Sequence, residues 1–184
     1  MARIPYPQRD AMPAELAELL ATMPRHAPVE MLAHAPALTG PFLRLAQAQF
    51  TGLRLTARHR EIVILTVAGL VQCDYEYAQH VPISSAAGIG PEERESLRSG
   101  ELDNLPDAGD RALARFVAAV VRAPTVADEV IAGVRSEFSE REIVEVLQLV
   151  GFYWGLGRLC TVLEVETETP NGLTSVTALA NLRR

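Results

Sequence analysis

Cysteine is scarce in this chain: two residues, Cys73 and Cys160, among 184. Two thiols cannot frame a disulfide-stapled fold, and they are expected to be reduced. Basic charge is also short, with a formal net charge of -6 and an isoelectric point near 5.3. A general nucleic-acid binder needs a basic face, so that class is excluded, and binding to an anionic membrane is disfavoured. The longest nearly apolar run, residues 62–71, falls far short of the roughly 20 residues a membrane span requires. The N-terminus, MARIPYPQRD, carries prolines and early charges in place of a secretory apolar segment. The expected location is cytoplasmic. No repeat, low-complexity stretch or linker interrupts the chain, and no phosphate-binding glycine loop or nucleotide fingerprint is present. H-x-x-x-H and C-x-x-C spacings are missing as well, so no metal or other cofactor is expected.

What remains is enough for one domain with a sizeable core, 48% hydrophobic and 22% charged. Its pattern is helical nearly throughout. Helices are expected at 13–22, at 29–35 before Pro36, and at 41–50 before Gly52. Thr56 caps the next one. Residues 62–71 are apolar all round, the mark of a buried central helix. Their β-branched content leaves a strand open, but length and neighbours favour helix. A further helix runs from Cys73 to Ala87 with Gly88 as its stop. Pro82 within it removes a donor and predicts a kink just past His80. Gly90-Pro91-Glu92-Glu93 opens a short surface helix that ends at Gly100. Asp107 starts an amphipathic helix, and Thr125 and Asp128 read as the cap of another. Ser139 and Glu142 form a capping box for a last long helix reaching about Val165. Gly151, Gly155 and Gly157 weaken that helix unless another backbone packs close or the helix bends. The tail, 167–184, has little core material and is expected to be mobile or docked on a partner chain. The fold class is all-α, in a single domain over 1–184.

Chemistry concentrates in one segment. Cys73, Glu76, Tyr77 and His80 are separated by three, four and seven residues and so share one side of a helix. Glu61 opens the buried helix before them, where an acid must be paired or functional. Arg58, His59 and Arg60 precede it, and cations in a first turn oppose the helix dipole. Arg58 reads as a solvated first-turn residue, and Arg60 is a candidate for a substrate carboxylate or for Glu61 itself. Glu76 and His80, one turn apart, can share a hydrogen bond that fixes the imidazole tautomer and tunes its basicity. On spacing alone the pair reads as a helix-surface contact worth a few tenths of a kcal/mol. Tyr75, Tyr77 and Tyr153 can wall a cleft, whereas Trp154 reads as core. So does Cys160, in the apolar run W-G-L-G-R-L-C-T-V-L.

The sequence E-I-V-I-L-T-V-A-G-L-V-Q-C-D-Y-E-Y-A-Q-H-V, positions 61–81, followed by S-S-A-A-G, resembles the carboxymuconolactone decarboxylase family, which includes the AhpD-like alkylhydroperoxidases. The resemblance is strong over about a third of the chain, within residues 41–100. It implies an AhpD-like helical fold, a homo-oligomer (dimer, trimer or hexamer), and a small-molecule substrate. Glu61, Cys73 and His80 fall at the glutamate, first-cysteine and histidine positions of the peroxidase branch. Glu76 stands where that branch has its second cysteine, so no disulfide can form within the motif. The E-x-x-x-H spacing of Glu76 and His80 is similar to the decarboxylase branch. The expected function is decarboxylase-like proton chemistry on a small carboxylate or lactone, with Glu76, His80, Cys73 and Glu61 catalytic and Tyr75, Tyr77 and Arg60 binding substrate. The alternatives are a peroxidase-like enzyme with Cys73 as its reactive thiol, and a non-catalytic binding protein of the same fold.

Overall fold

The protein is described by a computed structural model covering residues 1–181. Ten α-helices fill it: α1 Ala14–Ala21, α2 Ala27–Leu32, α3 Pro36–Thr51, α4 Ala57–Leu70, α5 Asp74–Ala86, α6 Pro91–Ser99, α7 Ala108–Arg122, α8 Asp128–Arg135, α9 Glu140–Leu163 and α10 Gly172–Ala180. Short 3₁₀ turns precede α1 and α7. No strand occurs among the described residues.

Helix α4 is the axle. Ile62, Val63, Ile64, Leu65 and Val67 are all essentially without solvent contact, and α5, α6, α7 and α9 pack around it. An all-round apolar helix gains most free energy when every face is covered, which settles the strand alternative against itself. Thr56 caps α4, its hydroxyl accepting from the His59 amide at 3.1 Å. Ser139 and Glu142 form the anticipated box on α9.

Helix α3 starts at Pro36 rather than Pro41, so Pro41 lies in its interior. Proline at Pro36 suits a first turn, and the start signal there outweighs the one five residues on. Helix α8 is preceded by Ala127, which offers no side-chain cap, so Thr125 is not a cap. The tail, as far as it is described, forms α10 and packs on α3 and α5 of its own chain; residues 182–184 lie outside the described part. The docking is tight. A Cβ on Gly172 would lie 2.2 Å from the Gln79 carbonyl oxygen, and the Gln79 side-chain oxygen accepts from the Asn171 amide at 2.9 Å.

By length and composition, α9 is long and apolar enough to cross a membrane. The residues 62–71 are therefore not the most membrane-like part of the chain. Helix α9 nevertheless places Val146, Leu149, Val150, Tyr153, Leu156 and Cys160 in the interior against α4, α7 and α2, as a core helix does.

Candidate functional site

The backbone changes direction between α4 and α5 at Gln72, whose φ of 55° lies in the left-handed region. The reversal sets α5 beside α4 and brings Glu61, in the first turn or so of α4, to the level of His80. Both are buried, with Glu61 0% and His80 5% exposed. The His80 Nδ1 is 2.7 Å from Glu61 Oε2. The other oxygen of Glu61 accepts from Arg60 Nε at 3.1 Å. The Arg60 guanidinium in turn lies 4.4 Å from the centre of the Phe50 ring.

Spacing alone paired His80 with Glu76. In the structure, the imidazole hydrogen-bonds to Glu61 instead. Glu76 Oε2 is 3.8 Å from His80 Nε2, beyond hydrogen-bond reach. One helical turn brings two side chains to the same face but does not fix their tips, and the approach across two helices is closer. His80 is thus held between two carboxyl groups, with Tyr153 edge-on to the ring at 5.3 Å.

Electrostatics separate the two acids. Burial pushes the Glu76 carboxyl up to about 7, with the charge of His80 pulling weakly the other way. Burial alone would lower the His80 imidazolium, but the charge and hydrogen bond of Glu61 and the charge of Glu76 outweigh it and raise it above 6.5. His26 is pushed down to about 4 by burial and by the proximity of His80. At neutral pH the site therefore holds a Glu76 poised between protonated and ionised, an imidazole inclined to keep its proton, and a neutral His26.

These groups meet a cavity of about 60 Å³ between α3, α5, α9 and α10. Its wall is largely apolar: Val29, Phe42, Phe50, Ile83, Phe152 and Leu156 contribute. Glu76, His80, Gln79 and His26 supply most of the polar lining. Three of their atoms are buried without a partner, namely Glu76 Oε1, Gln79 Nε2 and His26 Nδ1. An unpaired buried polar atom costs about 1–3 kcal/mol, so three at one cavity mark a place prepared for a polar group from outside. Gln79 and His26 were not singled out in the sequence. Gln79 was legible in principle, beside His80 in sequence; His26, at the N-cap of α2, is far off in sequence and gave no signal.

The other candidates lie elsewhere. Tyr75 is not part of the lining; its ring packs edge-on against His26 at 5.5 Å and its hydroxyl donates to Glu168 at 2.6 Å. Tyr77 faces α6, where the Arg98 guanidinium sits 4.6 Å from its ring centre. Arg60 is engaged by Glu61 and Phe50 and is not part of the lining. Cys73 occupies the N-cap of α5 and packs in the same second, smaller buried cluster as Cys160. Cys160 is core, as expected, but it is also the neighbour of Cys73. Arg58 is not a free first-turn cation: it pairs with Glu93 and, at 2.7 Å, with Asp110. Trp154 is not core; it is 47% exposed on the outer face of α9. Among the described residues no three His, Cys, Asp or Glu side chains are gathered to hold a metal ion.

No family model and no curated protein matches the sequence. Solved structures do match. The AhpD-core, peroxidase-related protein of Ralstonia eutropha JMP134 superposes with a TM-score of 0.77 at 20% identity, over 95% of this chain and 96% of that one. The chain has the AhpD-like fold. A peroxidase-related protein from Silicibacter sp. TM1040 gives 0.75 at 18% identity, over 95% and 94%. The debrominase Bmp8, as a cysteine-to-alanine variant in complex with 2,3,4-tribromopyrrole, gives 0.73 at 13% identity, over 95% of each chain. The AhpD-like fold thus spans nearly the whole chain, beyond the motif segment in which the resemblance was strongest.

Proposed function

We propose that the protein is a general acid–base enzyme acting on a small, mostly apolar organic molecule, with decarboxylation of a lactone or related carboxylic acid as its reaction. One observation carries this reading. Glu76 presents an unpaired oxygen at an apolar cavity and sets its other oxygen toward His80, which Glu61 holds from behind. In such a relay Glu76 meets the substrate, His80 closes its 3.8 Å gap to hydrogen-bond distance to return the proton, and Glu61 fixes the imidazole orientation and tautomer. Loss of CO₂ from an activated carboxylate leaves an electron pair on carbon, and a carboxyl group titrating near 7 is matched to protonating it at neutral pH. The Gln79 amide and His26 are placed to bind a substrate oxygen. The debrominase neighbour was solved in complex with a small halogenated ring, 2,3,4-tribromopyrrole, and the aromatic and aliphatic walls of this cavity suit an apolar planar molecule.

The test is CO₂ release from unsaturated carboxylactones in a steady-state assay, with product deuteration in D₂O. His80→Gln and Glu76→Gln are each expected to lower kcat by about 10²–10⁴. Full turnover in either variant overturns the assignment.

We infer also that the chain works as a homo-oligomer. The outer face of α9 exposes Val144, Leu147, Trp154 and Val162 in one stripe, and a second copy of that face supplies the apolar cover it lacks.

A further inference from the structure

Among the described residues, the lining of the cavity contains no lysine or arginine. What it offers a ligand oxygen is a pair of donors. Gln79 is 2% exposed, and the Asn171 amide, which can only donate, holds its side-chain oxygen at 2.9 Å. The amide nitrogen is therefore the end left over, buried and unpaired at the cavity. Glu76, one turn earlier on the same helix, is 3% exposed. Its Oε2 lies 3.8 Å from His80 Nε2, while Oε1 has no partner. The oxygen beside an imidazolium stays bare, so a neutral Glu76 carries its proton on Oε1.

Charge decides what those donors accept. Behind His80, the Glu61 carboxylate accepts from two cations, Arg60 at 3.1 Å and His80 at 2.7 Å. This buried group has one surplus positive charge while Glu76 is neutral and none once Glu76 ionises. A ligand carboxylate is balanced in the first state. In the second it meets a like charge in an apolar hollow. We propose that the cavity takes a small monocarboxylate only together with a proton, its two oxygens accepting from the Glu76 hydroxyl and the Gln79 amide. The ligand class rests on the decarboxylase reading above; its entry with a proton does not.

The proton has a use in that reaction. When the C–C bond to the carboxylate breaks, CO₂ leaves and the carbon keeps the electron pair. The Glu76 proton passes to that carbon, and Glu76 is left ionised. One proton is consumed per turnover, and Glu76 regains one before the next carboxylate enters.

Several titratable groups face Glu76. His80, Cys73 and Tyr75 share α5, and Tyr153 and Cys160 come from α9. His26 lines the cavity from the start of α2, and Glu61 and Arg60 stand behind His80 on α4. Helices α3 and α10 add no charged side chain to the lining. Burial raises both tyrosines and lowers His26 to about 4, so these three stay neutral near pH 7. His80 and the thiols are the remaining sources of a linked proton. Glu76→Gln separates them from Glu76, because it removes the carboxyl and leaves them in place.

The test is isothermal titration calorimetry of the intact chain with furan-2-carboxylate, and with furan-2-carboxamide as its neutral counterpart. Repeating each titration in phosphate and in Tris, whose ionisation enthalpies differ, counts the protons taken up. With Glu76 titrating at about 7, the carboxylate Kd is expected to rise about tenfold from pH 6 to pH 8, with about one proton taken up per ligand at pH 8. The carboxamide takes up none. In Glu76→Gln the profile is expected to be flat, so at pH 8 this variant binds the carboxylate more tightly than the wild type. Gln79→Leu is expected to weaken the carboxylate about tenfold at either pH and to leave the proton count unchanged. Carboxylate binding without proton uptake, a pH profile that persists in Glu76→Gln, a carboxamide bound where the carboxylate is refused at both pH values, or no saturable binding of either probe would overturn the proposal. Binding and turnover are read apart. A carboxylate that enters with a proton and loses no CO₂ removes the decarboxylase reading alone, and CO₂ release from a carboxylate bound without a proton removes this one alone.

Discussion

The Nδ1 of His80 lies 2.7 Å from a Glu61 oxygen, although the two residues sit on different helices. That contact, more than the one-turn spacing of Glu76 and His80, makes the imidazole a tuned group. Glu61 supplies the largest favourable influence on the His80 cation. A raised histidine stabilises the fold most fully below its unfolded value, near 6.5, and this contribution is lost as pH rises through the folded value. Glu61→Gln is expected to lower the His80 titration midpoint, read by NMR of the imidazole, and to cut kcat about 10²-fold or more through loss of orientation. An unchanged His80 midpoint would show that Glu61 does not tune it.

Glu76 and His26 pull stability in opposite directions with pH. The Glu76 carboxyl titrates at about 7 in the folded chain against an ordinary 4.5. Between those values the folded chain holds a proton the unfolded chain has released. Its contribution is therefore full below 4.5 and falls as pH rises to 7, by about 3 kcal/mol in all. His26, at about 4 against 6.5, contributes fully above 6.5 and loses that contribution as pH falls toward 4. In the overlap the two slopes nearly cancel. Glu76→Gln removes one of them, so its melting temperature should gain on the wild type steadily from pH 4.5 to 7. Parallel curves across that range would mean that Glu76 is not a buried carboxyl of raised affinity for protons.

The glycines of α9 and α10 are not equivalent. Gly157→Ala drives a methyl into Val71 beside Cys73, with a cost of about 1–3 kcal/mol. Gly172→Ala, against the Gln79 carbonyl, is expected to release α10 altogether. Gly151 and Gly155 have open space around them, so alanine at either should stabilise the monomer by about 0.5–1 kcal/mol. Chemical denaturation of the four variants checks the order.

Trp154→Glu places a charge in the middle of the exposed stripe of α9. The expected outcome in sedimentation velocity is dissociation to a smaller species with the helical circular dichroism signal retained. A wild-type chain that sediments as a monomer across micromolar concentrations would remove the oligomer proposal.

Helix order and type were legible in the sequence because the apolar periods are clean: length and neighbours favoured a buried helix over a strand for α4, and the Ser139–Glu142 box announced α9. Errors came where two start signals competed, as at Pro36 and Pro41, or where exposure depends on a partner, as at Trp154. The chemical residues of α4 and α5 were legible as a set, but their pairing was not. Which carboxylate takes His80 depends on how two helices cross, and a one-dimensional spacing rule sees only contacts along a single helix. His26 was hidden for the same reason: it reaches the cavity only through neighbours brought close by folding.

Helix α10 closes one side of the cavity with Gly172, Ser175, Val176 and Leu179, and Gln79 grips it through Asn171. Trimming of α10 by a protease would act on the cavity directly. Peeling this flap away hydrates Glu76, returns its carboxyl toward ordinary acidity, and so disarms the proposed proton donor from a distance.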